Sequence, residues 1–217
     1  MKDSGELPPL CLETCHDQRS SKVFIKICGI TTKEDALMAE AAGADAIGVI
    51  LFSDSMREIR PEEAADIFRV LRPSTRKVCV THTSSEEDLR AILMIHPDAV
   101  QISHDLTVPA GTRVIRVLEP GDHIPCDADA VIIDSSRGHG RLFDADYACH
   151  VAQEAIIPVI LAGGLTPENV CENIRLVRPF AVDVASGVEY APGKKDPEKV
   201  RRFIGAVRAC EYRRDPF

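Results

Sequence analysis

The chain has 217 residues, 45% of them hydrophobic and 28% charged, the composition of a globular protein long enough to bury its own core. Its 26 Lys and Arg against 34 Asp and Glu give a net charge of −8, which weighs against a nucleic-acid or anionic-membrane binder but permits a small anionic substrate held by a few cations in one cleft. No apolar run approaches the roughly 20 residues needed to span a bilayer.

Residues 1–21 are polar, carry Pro8-Pro9 and lack the apolar stretch of a secretory signal. They read as an extension outside the fold, poorly ordered or packed on a surface, ahead of a catalytic domain over residues 22–217. Cys11, Cys15 and His16 in this extension lack a second ligand pair at zinc-like spacing, so no metal is expected. The eight cysteines are scattered, and with no export signal they are expected as reduced thiols in the cytoplasm.

From residue 23 the pattern turns regular. VFIKIC at 23–28 reads as a strand, 33–42 as a helix stopped by Gly43, and AIGVILF at 46–52 as a second strand. Pro61 at a first-turn position opens a helix over 62–71; 77–81 is a strand, 85–94 a helix, 99–102 a strand. The helix expected next is cut short at 103–111, and again at 119–128 after the strand at 113–117, because Pro and Gly interrupt both. A strand at 130–134, a helix at 146–154, a strand at 159–162, a helix at 167–177, a strand at 181–184 and a helix at 197–208 complete the chain. Eight strands alternating with helices or shortened substitutes predict parallel βαβ units closed as a single (β/α)8 barrel. The rival is an open doubly wound sheet, which would place a Gly-rich fingerprint after the first strand; the turn there is Cys28-Gly29-Ile30-Thr31.

Barrel enzymes carry their chemistry at the C-terminal ends of the strands. Gly163-Gly164 and Ser186-Gly187 follow strands seven and eight, where backbone N–H groups can approach a phosphate; the alternative is two ordinary turns. Cys28 ends strand one and is either a base or nucleophile with a lowered pKa, or buried filler. Asp134 ends an apolar strand, where a carboxyl is costly unless it works as acid or base or bonds a loop. Arg57 could take a carboxylate bidentately or lie in solvent. Lys26 shares the inward face with Cys28 and needs an anion, for which Asp183 on the closing strand is the candidate; the pair is read as structural.

Several strings resemble the phosphoribosylanthranilate isomerase family. They are VFIKICGIT at 23–31, Glu34-Asp35-Ala36, GADAIG at 43–48, Ser53-Asp-Ser-Met-Arg57, Gly138-His-Gly140 with Phe143-Asp144, LAGGLTPENV at 161–170, VDVASGVE at 182–189 and PGKKD at 192–196. The resemblance covers nearly the whole barrel in order. It implies the Amadori rearrangement of N-(5-phosphoribosyl)anthranilate to 1-(2-carboxyphenylamino)-1-deoxyribulose 5-phosphate in tryptophan biosynthesis, without metal or organic cofactor. By strand-end match, Asp134 is the acid that opens the furanose ring and Cys28 the base at C2. Arg57 holds the anthranilate carboxylate, and Gly163, Gly164, Ser186 and Gly187 hold the phosphate. Gln101 is carried over as a substrate contact although the following His is displaced to His104, and Ala162 and Ala185 stand where the family usually has Ser. Two other readings compete with it. A histidine-pathway-type isomerase resembles an Asp where Cys28 stands, and a non-catalytic sugar-phosphate-binding barrel would not need Cys28, Asp134 and Arg57 together. The expected partner is a small phosphorylated substrate, not nucleic acid or membrane, and the sequence leaves monomer and homodimer both open.

Overall fold

The computed structural model describes residues 22–104, 106–134 and 144–210. Eight strands close a parallel barrel in chain order: β1 (Phe24–Ile27), β2 (Ala46–Leu51), β3 (Arg76–Thr81), β4 (Ala99–Ile102), β5 (Arg113–Leu118), β6 (Ala130–Ile133), β7 (Val159–Leu161) and β8 (Ala181–Val184). The ring closes where β8 pairs with β1, setting Lys26 opposite Asp183. All six residues of β2 are buried, as a strand covered by helices outside and packed side chains inside must be.

The strands' alternation divides the core in two. Ile25, Ile27, Val49 and Val182 point outward and meet Phe68, Ile174 and Phe203 of the helical layer. Cys28, Ala46, Ile50, Val80, Ile132 and Ile160 fill the barrel interior, with the charged pair Lys26 and Asp183 among them. Gly48 of β2 makes room for that pair's neighbourhood: a Cβ there would stand 3.0 Å from both Cys28 Sγ and Lys26 Cε.

The helices are α1 (Lys33–Ala42), α2 (Pro61–Val70), α3 (Glu86–Leu93), α4 (Ala145–Glu154), α5 (Val170–Val177) and α6 (Pro197–Ala209). Thr32, Ser85, Asp144 and Asp196 accept backbone N–H bonds at the starts of α1, α3, α4 and α6, and Gly43 ends α1. The connections after β4 and β5 hold no helix among the described residues, the extreme of the shortening expected there. Among the described residues no helix is long and apolar enough to cross a membrane.

Two features depart from the sequence reading. A hairpin of β9 (Glu189–Ala191) and β10 (Lys194–Lys195) fills the stretch between β8 and α6, after a single 3-10 turn at Ser186–Val188. Cys171 and Cys210 form a disulfide between the first turn of α5 and the end of α6, which corrects the expectation that all cysteines are reduced thiols. Their 39-residue separation carried no signal of proximity; helix packing brings them together. Cys28, Cys79, Cys126 and Cys149 are thiols.

Candidate active site

At the C-terminal mouth, the loops after β7 and β8 lie against each other. Gly187 makes this approach possible: a Cβ there would meet the Leu165 carbonyl oxygen at 1.9 Å and the Leu165 carbonyl carbon at 3.0 Å. Gly163, Gly164, Ser186 and Gly187 line one small cleft together with Asp134 and Asp183. The Gly-rich turns are thus joined to the end of β6 in one concavity, with Asn169 bracing the β7 loop through its Nδ2 bond to the Gly164 carbonyl at 2.9 Å.

Beneath that cleft lies a line of buried ionisable groups. Lys26 Nζ donates to Gln101 Oε1 at 3.0 Å and sits 3.1 Å from Asp183 Oδ1. Burial works against the Lys26 ammonium, but Asp183 and Cys28 outweigh it and raise its pKa to about 12. Burial raises the Asp183 carboxyl, Lys26 opposes that, and the nearby Asp134 adds to it. The Cys28 thiol is also raised, first by burial and then by Asp183, while Lys26 and Lys195 favour its thiolate. The sequence left the direction of the thiol pKa open, and the structure decides it: the cations beside Cys28 are present, but the interior that holds them also strips the thiolate of water.

Arg57 is the third group predicted to act. It lies in the loop after β2, is only 8% exposed and crosses directly over Gly29, whose missing Cβ would sit 2.6 Å from Arg57 Cδ. Gly29 has φ +68°, so a side chain there would be strained for backbone reasons as well. Arg57 does not lie in solvent. Its Nε and Nη2 donate to the Glu189 carboxylate at 2.9 and 2.8 Å, and Lys195 Nζ reaches the same carboxylate at 2.8 Å. Burial disfavours the Glu189 carboxylate, yet Arg57 and Lys195 hold its pKa below the ordinary carboxylate value.

The structure therefore gathers Lys26, Cys28, Gln101, Asp134 and Asp183 around one end of the barrel, with Arg57 above Gly29 and the glycine turns opposite. Gln101 is placed as a partner of Lys26. The segment with Gly138, Gly140 and Phe143, and the cysteines of residues 1–21, lie outside the described residues. Sequence reasoning passed over Glu189 and Lys195, although both lie in the segments 182–189 and 192–196 that carry the family resemblance. The signal was Pro192-Gly193 between them, a turn that folds β10 back on β9. It also passed over Ser53 and His82, whose Oγ and Nδ1 are 2.7 Å apart at the rim.

Comparison with known proteins bears on the whole barrel. The family model for N-(5'phosphoribosyl)anthranilate (PRA) isomerase matches residues 25–206. The N-(5'-phosphoribosyl)anthranilate isomerase of Methanoregula boonei is 54% identical over 191 residues, 87% of this chain and 98% of its own length. Phosphoribosyl anthranilate isomerase from Thermus thermophilus superposes with a TM-score of 0.78 at 36% identity, covering 86% of this chain and 99% of that one. A crystal structure of a phosphoribosyl anthranilate isomerase in complex with reduced 1-(o-carboxyphenylamino)-1-deoxyribulose 5-phosphate superposes with a TM-score of 0.70 at 34% identity, over 86% and 98% of the two chains.

Proposed function

This chain belongs to the N-(5'-phosphoribosyl)anthranilate isomerase family, and from that premise we propose how its side chains carry out the reaction. The protein is an isomerase of tryptophan biosynthesis that converts N-(5-phosphoribosyl)anthranilate to 1-(2-carboxyphenylamino)-1-deoxyribulose 5-phosphate by an Amadori rearrangement. Its ligand is a small phosphorylated molecule, and a biosynthetic step of this kind fits the cytoplasmic location expected from the sequence. Residues 22–217 are the catalytic unit and residues 1–21 take no part in the chemistry.

Asp134, as a carboxylic acid, gives its proton to the furanose ring oxygen. The bond from that oxygen to C1 breaks and leaves a Schiff base between C1 and the anthranilate nitrogen. The Cys28 thiolate then removes the proton from C2, and the electron pair moves to neutralise the iminium nitrogen, forming an enolamine. As the enolamine tautomerises to the ketone, C1 gains the proton that Cys28 holds and the C2 hydroxyl gives its proton up to the Asp134 carboxylate, which restores the thiolate and the carboxylic acid. Lys26, held protonated by Asp183, lies beside Cys28 and stabilises the thiolate. The paired loops at Gly163-Gly164 and Ser186-Gly187 hold the phosphate through backbone N–H groups. The outer edge of Arg57 takes the anthranilate carboxylate.

The observation that carries this reading is the joining of Asp134 to the glycine turns in one cleft above the buried Lys26–Cys28–Asp183 group. The test is turnover by Cys28→Ser and Asp134→Asn proteins. Each should lose several orders of magnitude in kcat while binding product within a few-fold of wild type, because shape is kept and only proton transfer is lost. A Cys28→Ser protein within about tenfold of wild type, a barrier change of only about 1.4 kcal/mol, would remove Cys28 from the base role.

A further inference from the structure

The cluster around Arg57 is built with more charge than a structural salt bridge needs. Three side chains from three segments meet: Arg57 after β2, Glu189 on β9 and Lys195 on β10. Their side chains are 10%, 4% and 0% exposed. Arg57 Nε and Nη2 face Glu189 at 2.9 and 2.8 Å, Lys195 Nζ reaches Glu189 Oε1 at 2.8 Å, and the Gly193 N–H adds a contact at 3.3 Å. Lys195 Nζ also donates to the Ala185 carbonyl at 3.2 Å, tying the cluster to the loop after β8. Two cations share one carboxylate, so the group carries a net charge of +1 in a site largely shut off from water.

A guanidinium has two forked edges. Glu189 occupies the Nε–Nη2 edge, which leaves the Nη1–Nη2 edge to meet a second planar carboxylate. Glu189 alone would neutralise Arg57 and repel an approaching anion. Lys195 cancels the Glu189 charge and leaves the attraction of Arg57 for an anion intact. The hairpin that presents both residues is itself anchored to the first loop: Thr31 Oγ1 donates to the Gly193 carbonyl at 2.6 Å, and the Lys195 N–H donates to Asp35 Oδ2 at 3.2 Å.

We propose that Glu189 and Lys195 are positioning residues for substrate recognition, Glu189 fixing the Arg57 guanidinium and Lys195 keeping it electrostatically available to the anthranilate carboxylate. This rests on the reading that Arg57 binds that carboxylate. The test compares kcat and KM for N-(5-phosphoribosyl)anthranilate and for the corresponding aniline compound, which lacks the carboxylate, in Glu189→Gln, Lys195→Met, Arg57→Ala and the double variants with Arg57→Ala. Glu189→Gln and Lys195→Met should each raise KM for the anthranilate substrate about tenfold, the scale of a weakened bond to a charged group, with kcat within about threefold. The aniline compound should be little affected, and neither substitution should cost anything further once Arg57 is alanine. If Glu189→Gln does not accumulate as folded protein, Lys195→Met alone carries the same comparison. Equal losses with both substrates, or a further loss in the Arg57→Ala background, would show a purely structural role and overturn the proposal. An Arg57→Ala protein that loses equally with both substrates would instead overturn the reading of Arg57 itself.

Discussion

Gly187→Ala tests whether the loops after β7 and β8 form one phosphate site. The new methyl group would stand 1.9 Å from the Leu165 carbonyl oxygen, 3.0 Å from its carbon and 3.3 Å from Thr166 Cα. All three atoms are backbone, so no rotamer change relieves the clash. Ordinary van der Waals contact begins at 3.4 Å, so the two loops must part by roughly 1.5 Å. A backbone N–H to phosphate bond near 2.9 Å does not survive such a shift. Each bond lost to a charged group costs about 1.5–3 kcal/mol, so one broken bond weakens affinity at least tenfold and two about a hundredfold or more. The assay is calorimetric titration with an unreactive phosphorylated product analogue, beside steady-state turnover of the substrate. We expect the dissociation constant and KM to rise together by one to two orders of magnitude, with a modest loss of thermal stability from the strained loop. A folded Gly187→Ala protein that binds the analogue within threefold of wild type would refute the shared site.

Three further outcomes follow from the geometry. Gly29→Ala should cost roughly 1–2 kcal/mol of stability, because its left-handed backbone disfavours a side chain. It should also raise KM at least severalfold by pushing Arg57 Cδ from 2.6 Å, and an unchanged KM in steady-state kinetics would count against Arg57 as a substrate contact. Asp134 must hold its proton while Cys28 has lost its own, so kcat/KM should be bell-shaped in pH; because burial raises the Cys28 thiol from its ordinary value of 9.0, the alkaline fall should come only above about pH 9, and a fall that begins below about pH 8 would contradict Cys28 as the base. Lys26 binds its proton more tightly folded than unfolded, so the stability it contributes is complete below its ordinary pKa of 10.5 and is lost as pH rises through about 12. This loss, about 2 kcal/mol in urea unfolding, should be missing from a Lys26→Met/Asp183→Leu protein, which removes the pair without leaving a buried charge.

The barrel was legible because its signals are local. The β-branched runs at β1, β2 and β8 are near-continuous, as strands buried on both faces must be, and Thr32, Gly43, Pro61 and Ser85 mark helix ends within a residue or two. Period-two placement on β1 sent Lys26 inward beside Cys28, and the cost of an unpaired buried ammonium required an acid, which parallel pairing supplies as Asp183. Strand ends likewise located Asp134 and the glycine turns, because the fold class fixes which end of each strand faces the mouth.

What the chain order could not contain is what distant segments do to one another. The Cys171–Cys210 disulfide depends on how α5 packs against α6. The demand for glycine at Gly187 comes from a carbonyl in another loop, and at Gly29 partly from an arginine stem 28 positions later. The pKa direction of Cys28 was open in the sequence, since neighbouring cations and burial oppose each other and only the enclosed interior decides that burial wins. Composition and periodicity report whether a residue faces inward; they do not report the water it loses or the partner it meets there. The sequence alone therefore determined the barrel, its mouth and the residues lining it, while the Arg57–Glu189–Lys195 cluster arose only when the chain closed, because Arg57 stands more than 130 residues before the hairpin that carries Glu189 and Lys195, and the two segments meet through the ring of strands.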